Sequence, residues 1–173
     1  SYDNTAKIVK VPSGEEVRSI QHRDYVESAE FSPDGEYVVT ASYDNTAKIV
    51  NVATGEEVRS IQHESQVVSA KFSPDGKYVV TASSDNTAKI VKVASDEVVK
   101  VIQHENNLIG VEFSPDGKFI ATSSMDKTVK IIEVATGEEV TSISFRDTST
   151  SMKFSSNGAY MVIASWDKTV KIV

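Results

Sequence analysis

Apolar and polar positions alternate along this chain in short runs, and the alternation recurs every 41 residues. In the unit from Gln21 to Gln62, residues 25–31 carry Val26, Ala29 and Phe31 among polar neighbours and predict a strand. Ser32, Pro33, Asp34 and Gly35 follow. Pro presets φ, Asp bonds its own backbone and Gly accepts a positive φ, so a tight turn is expected. Residues 37–42, Tyr-Val-Val-Thr-Ala-Ser, are rich in β-branched and aromatic types and predict a buried strand. Asp44 and Asn45 make the next turn, residues 46–52 a third strand, and Ala53, Thr54 and Gly55 another turn. Residues 56–62 form the fourth and most polar strand. Its Glu57 and Arg59 suit an outermost position, where charge blunts an open sheet edge.

Residues 1–9 return unchanged at 42–50 and lightly edited at 83–91, 124–132 and 165–173. A strict repeat of this length predicts an all-β propeller built from four-stranded antiparallel blades. A twisted four-stranded sheet has two faces to cover, and stacking around an axis gives each a neighbour. Counted from the axis outward, the single repeat domain 1–173 holds the two outer strands of a first blade (1–21). Repeats 22–62, 63–103 and 104–144 and an incomplete last blade (145–173) follow, seventeen strands in about four blades. An open arc of this kind leaves apolar faces bare, which drives association. The expected completion is a second copy of the chain, giving an eight-bladed ring in which one third strand per chain is spare. A five-bladed monomer with incomplete end blades, a piece of a longer polypeptide and a designed or reconstructed array are the alternatives.

The run Phe-Ser-Pro-Asp-Gly at 31–35, the run Ala-Ser-Tyr-Asp-Asn-Thr-Ala-Lys-Ile at 41–49, Thr54-Gly55 and a His ahead of the first strand recur through the chain. In these pieces the chain resembles the WD-repeat β-propeller family. The resemblance implies a chain of hydrogen bonds inside each blade from Asp to His to Ser or Thr to Trp. It implies that His22–Asp44, His63–Asp85 and His104–Asp126 are structural pairs, and the Asp charge is expected to raise each His pKa. The Trp-Asp pair that names the family is missing: Val9-Lys10, Val50-Asn51, Val91-Lys92 and Ile132-Glu133 stand there. Losing a large core side chain costs about 3–5 kcal/mol unless neighbours repack, so compensation is expected. The last repeat departs furthest, with Phe145 in the His position facing Asp167 and Ser156-Asn157-Gly158 for Pro-Asp-Gly. Asp96 replaces the turn glycine of the third copy, and Asp tolerates a left-handed backbone better than most residues.

Composition narrows the function classes. A net charge of −7 with interspersed Lys and Glu argues against nucleic acid, which needs a basic face. No apolar run approaches the roughly 20 residues of a membrane helix. The chain has no Cys, which removes thiolate chemistry and is compatible with a reducing, cytoplasmic setting. The three His occupy one repeat position each and do not converge on an ion, so no metal site is expected, and no cofactor. No phosphate loop or nucleophile elbow is present, and Glu56-Glu57 reads as a solvated edge rather than an acid–base pair. No catalytic residue is assigned.

Variation between copies concentrates in two places, just after the His and just before the turn Asp. By the resemblance these positions lie on the face around the central channel where partners bind. Transferred residue by residue, the candidate protein-binding set is Tyr25, Tyr43, Val68, Ile109, Met125 and Trp166, the last being the chain's only Trp. Aromatic residues and Met are common anchors at such surfaces. The expected function is a non-enzymatic interaction or structural scaffold whose partners are a second copy of itself and a protein or peptide on that face.

Overall fold

The computed structural model describes residues 1–95 and 97–173. The expectation for the Asp96 turn lies outside the described residues. Seventeen strands are found among them, and no helix. They are β1 (Thr5–Val9), β2 (Glu16–Gln21), β3 (Val26–Phe31), β4 (Tyr37–Ser42), β5 (Thr46–Asn51), β6 (Glu57–Gln62), β7 (Val67–Phe72), β8 (Tyr78–Ser83) and β9 (Thr87–Lys92). Then come β10 (Val98–Gln103), β11 (Leu108–Phe113), β12 (Phe119–Ser124), β13 (Thr128–Glu133), β14 (Glu139–Ser144), β15 (Ser149–Phe154), β16 (Met161–Ser165) and β17 (Val170–Ile172). They form five antiparallel meanders: β1-β2, β3-β4-β5-β6, β7-β8-β9-β10, β11-β12-β13-β14 and β15-β16-β17.

The turns form as their residues dictate. Ser32 Oγ donates to Asp34 Oδ1, which also accepts the amide of Glu36 at 2.9 Å, and Gly35 takes a φ of 74°. The edited turn of the last repeat reproduces this. Ser155 Oγ donates to Asn157 Oδ1 at 2.7 Å, the Ala159 amide donates to the same oxygen at 3.1 Å, and Gly158 sits at φ 70°. Asn can replace Asp here because only a side-chain acceptor is required.

The core lies between blades. Along β4 and β5, Val39, Ala41, Ala47 and Ile49 point towards the next sheet and pack on Val67, Ala70, Phe72 and Val79. One repeat later Val80, Ala82, Ala88 and Ile90 meet Leu108, Val111, Phe113 and Ile120 in the same way. The third junction joins Ala121 and Val129 to Phe145, Met161 and Ile163. Burying one Ile in such a seam stabilises by roughly 2 kcal/mol, and an isolated meander gains none of it. The position vacated by the family's Trp is filled from the same seams. Val50 is buried against Ile8, Ile20 and Val38, and Val91 and Ile132 sit in the first and second of the junctions just described. Aliphatic side chains thus stand buried where the family carries an indole.

Candidate functional site

Each of the three complete blades contains one buried polar chain, and its residues come from two strands and two connecting turns. His22 is held just before β3 and is almost fully buried. Its Nδ1 donates to Asp44 Oδ2 at 2.8 Å, and its Nε2 accepts the hydroxyl of Thr40 on β4 at 2.8 Å. The tautomer follows from the partners, since a carboxylate can only accept. Asp44 also accepts the Arg23 amide at 2.9 Å, the Thr46 amide at 3.0 Å and the Thr46 hydroxyl at 2.6 Å. His63 with Asp85 and Thr81, and His104 with Asp126 and Thr122, repeat the arrangement within 0.1 Å.

The electrostatics correct one expectation. The His22, His63 and His104 imidazoles titrate below the ordinary 6.5, not above it. Burial disfavours the imidazolium by more than the neighbouring carboxylate favours it. The carboxylates move the other way from what burial alone would do. Burial raises the Asp44 pKa, but the Thr46 hydroxyl, the Arg23 amide and His22 together bring it down to about 2. Asp85 and Asp126 are likewise held at about 2. These are neutral histidines between an anion and a hydroxyl, with both ring nitrogens engaged.

The last blade replaces the chain of polar groups with carbon. Phe145 occupies the His position, and Ile163 occupies the position of Thr40, Thr81 and Thr122. Both are buried in one cluster with Val129 and Met161. Asp167, without a His, accepts the Arg146 and Thr169 amides and the Thr169 hydroxyl. The sequence reading marked Phe145 and missed Ile163. The signal was available: at one period of 41 the column reads Thr, Thr, Thr, Ile in step with His, His, His, Phe.

The loop face is a set of backbone rungs carrying variable side chains. The Tyr43 amide donates to the Tyr25 carbonyl at 2.8 Å. Ser84 and Gln66, Met125 and Asn107, and Trp166 and Thr148 form the same rung in the later blades, at 2.8 to 3.0 Å. Tyr25 stands between Tyr2, edge-on at 4.9 Å between ring centroids, and Tyr43, tilted at 6.1 Å. Burial raises the Tyr43 phenol pKa, helped by the Glu27 carboxylate. Trp166 is 73% exposed and Met125 47%. Two other members of the candidate set are placed differently. Val68 is half-buried and packs against the cluster between the second and third complete blades. Ile109 lines a cavity of about 390 Å³ with Lys71, Gly110 and Met152. So Tyr25 and Tyr43 come together, Met125 and Trp166 stand out on separate blades, and Val68 and Ile109 turn inward.

A second ring of side chains went unnoticed in the sequence. Glu30, Lys71, Glu112 and Lys153 lie one period apart on the first strands of successive sheets and line one cavity with Phe72 and Phe113. Lys71 Nζ is 3.1 Å from Glu112 Oε2, and Lys153 pairs with the other oxygen of Glu112. Glu30 Oε2 is buried with no hydrogen-bond partner among the described residues. Burial pushes its carboxyl pKa up, with Lys71 pulling the other way. The alternation Glu, Lys, Glu, Lys at a spacing of 41 was the signal.

Comparison with known families fits this architecture. The model of the cytochrome D1 heme domain matches residues 38–153, about two thirds of the chain. That of the WD domain, G-beta repeat, matches residues 14–51 and 135–173. No curated protein matches the chain. The side chains do not suit a haem. Haem iron takes axial His, Cys, Met or Tyr. Here there is no Cys, each His has both ring nitrogens engaged, and Met152 and Met161 pack in a blade seam. No group of three His, Cys, Asp or Glu able to hold a metal ion is found among the described residues. The three His, Met152 and Met161 thus offer a haem no axial ligand. With repeated four-stranded antiparallel sheets, cores between the blades and WD-domain matches at both ends, the chain fits a WD40-like β-propeller family.

Proposed function

We propose that this chain is a non-enzymatic interaction scaffold that presents the loop face around its channel to a protein or peptide. One observation carries the reading: identical backbone rungs hold side chains that differ from blade to blade. Tyr25/Tyr43, Gln66/Ser84, Asn107/Met125 and Thr148/Trp166 share one hydrogen bond and share no chemistry. The blade seams keep the rungs rigid, so a ligand meets a fixed row of aromatic, polar, thioether and indole groups. Preorganised surfaces of this kind lose little entropy on binding. Tyr25, Tyr43, Met125 and Trp166 are the anchors of this face, and Val68 and Ile109 support it from beneath. The test is a displayed random-peptide library selected on the intact chain. Peptides are expected to lose binding when Tyr43, Met125 and Trp166 are each changed to Ala, with far-UV circular dichroism unchanged. Selected peptides that bind the triple variant as well as the parent would reject this face.

A second reading concerns assembly, and the bare sheet face supports it. Val162, Val170 and Ile172 are exposed on the β15-β16-β17 sheet at positions where Val39, Ala47 and Ile49 are fully buried. We propose that two copies complete one eight-bladed ring. Light scattering is expected to give twice the mass of one chain.

A further inference from the structure

The middle complete blade, β7-β8-β9-β10, has a four-stranded sheet on either side, so its surroundings are set inside the chain. β10 is its outer edge and is bonded to β9 on one side only. The His104 amide donates to the Asn86 carbonyl at 2.9 Å, and Ile102 and Ala88 are the next bonded pair along this ladder. By the same alternation the amide and carbonyl of Val101 point away from β9. The other outer strands carry a guard at this place. Glu57 on β6 pairs with Lys48 at 3.1 Å, Glu139 on β14 with Lys130 at 3.1 Å, and Glu16 on β2 with Lys7 at 3.2 Å. Ser60, Ser142 and Ser19 stand opposite those lysines. In β10 the Glu column holds Val98 and the Ser column Val101, 48% and 46% exposed. Val101 lies opposite Lys89 and Val98 opposite Val91, two residues along β9, so the two valines and Lys89 share one face. Lys89 Nζ donates to the Gln62 carbonyl at 2.6 Å, and among the described residues no carboxylate lies within ion-pair distance of it.

We infer that the outer edge of this one blade takes an extended, acidic peptide as a fifth strand. The peptide backbone bonds the outward amide and carbonyl of Val101, as in other cases where a strand is added to an open sheet edge. Its apolar side chains cover Val98 and Val101. One carboxylate takes the place beside Lys89 that Glu57 and Glu139 hold beside Lys48 and Lys130. Neighbouring strands lie about 4.8 Å apart, so the added strand runs about 10 Å from β9, within the joint reach of a Lys and a Glu side chain crossing over Val101. Charge sets the class of partner. A second copy laid edge to edge presents Val-Val-Lys-Val-Ile-Gln, residues 98–103, which brings more lysine and no carboxylate. The neighbouring edges are closed to the same peptide, because Glu57 and Glu139 already neutralise their lysines and repel an acid. This site is independent of the loop face and of the two-copy ring.

The probe is the acetylated and amidated peptide Thr-Val-Thr-Glu-Thr-Val-Thr, whose two Val and one Glu share a face when extended. Added to the intact, isotope-labelled chain, it is expected to shift the Val101 amide resonance and to slow its hydrogen exchange roughly tenfold. The same peptide with Lys for Glu is expected to bind roughly tenfold more weakly. Val98→Glu with Val101→Ser gives β10 the residue types with which β6 and β14 already fold, and is expected to abolish binding with circular dichroism unchanged. An unmoved Val101 amide, equal affinity for the Glu and Lys peptides, or undiminished binding to the double variant each overturns the proposal. So does a mass in solution that falls on the double substitution while the peptide leaves β10 untouched, since the edge would then belong to a second copy.

Discussion

Replacing Asp85 by Asn tests whether the buried polar chains hold the blades. Asp85 Oδ1 accepts the Thr87 amide at 2.9 Å and the Thr87 hydroxyl at 2.6 Å. Its Oδ2 accepts the Glu64 amide at 3.0 Å and His63 Nδ1 at 2.8 Å. An amide offers one oxygen for these four donors and turns its own NH2 towards the rest. The carboxyl is held at about 2 instead of the ordinary 3.8, and its side chain is 9% exposed. The folded state thus favours the charged form by about 2 kcal/mol. Because the folded value lies below the unfolded one, this contribution is complete above the unfolded pKa and is lost as pH falls through the folded one. Urea unfolding of parent and variant, followed by circular dichroism, should therefore differ by about 2 kcal/mol at neutral pH and by about half of that at pH 3. Protein concentration is matched, since association adds its own term. A difference below about 0.5 kcal/mol, or one equally large at pH 3 and pH 7, would show that the carboxylate is not the pivot of the blade.

The last blade predicts an interaction between two substitutions: Phe145→His alone buries an imidazole facing Ile163 and should cost about 1–3 kcal/mol, and adding Ile163→Thr should recover most of it. Independent, additive losses in a double-mutant cycle would refute the idea that Phe145 and Ile163 replace the polar chain as a unit. For the parent, NMR titration should find the three imidazoles neutral at pH 6.5. With folded pKa values below the unfolded value, their contribution is present above pH 6.5 and is lost as pH falls towards the folded values; imidazoles that protonate above 6.5 would contradict the burial argument.

The fold was readable because its signals are local and repeated. The Pro-Asp-Gly and Asp-Asn turns, the β-branched run 37–42 and the period of 41 each name a strand or its boundary. The His–Asp pairs were readable by resemblance, but the direction of their titration was not. Sequence shows that an Asp faces the ring, and only packing shows that the ring is almost without water. Thr40 and its repeats were hidden for a related reason: within a β-branched strand a Thr looks like one more strand former until its hydroxyl is seen on His22 Nε2. Val68 and Ile109 varied between copies as the exposed loop residues do. Variation does not distinguish a side chain facing solvent from one filling a changed gap. The axial alternation needed the columns of the repeat to be read for charge as well as for hydrophobicity.

The sameness of the seams has a consequence for solution behaviour. On the proposed two-copy reading, a chain with one bare seam at β3 and another on β16 would add to a second chain in a head-to-tail sense, and nothing in the contact would limit the number added. Whether growth stops is set by the rotation from one blade to the next, which the Val, Ala and Ile side chains of the seam fix. If that rotation brings the second chain's free seam back to the first, the product is finite; a small change in seam volume that opens the angle would convert the same molecule into a fibre.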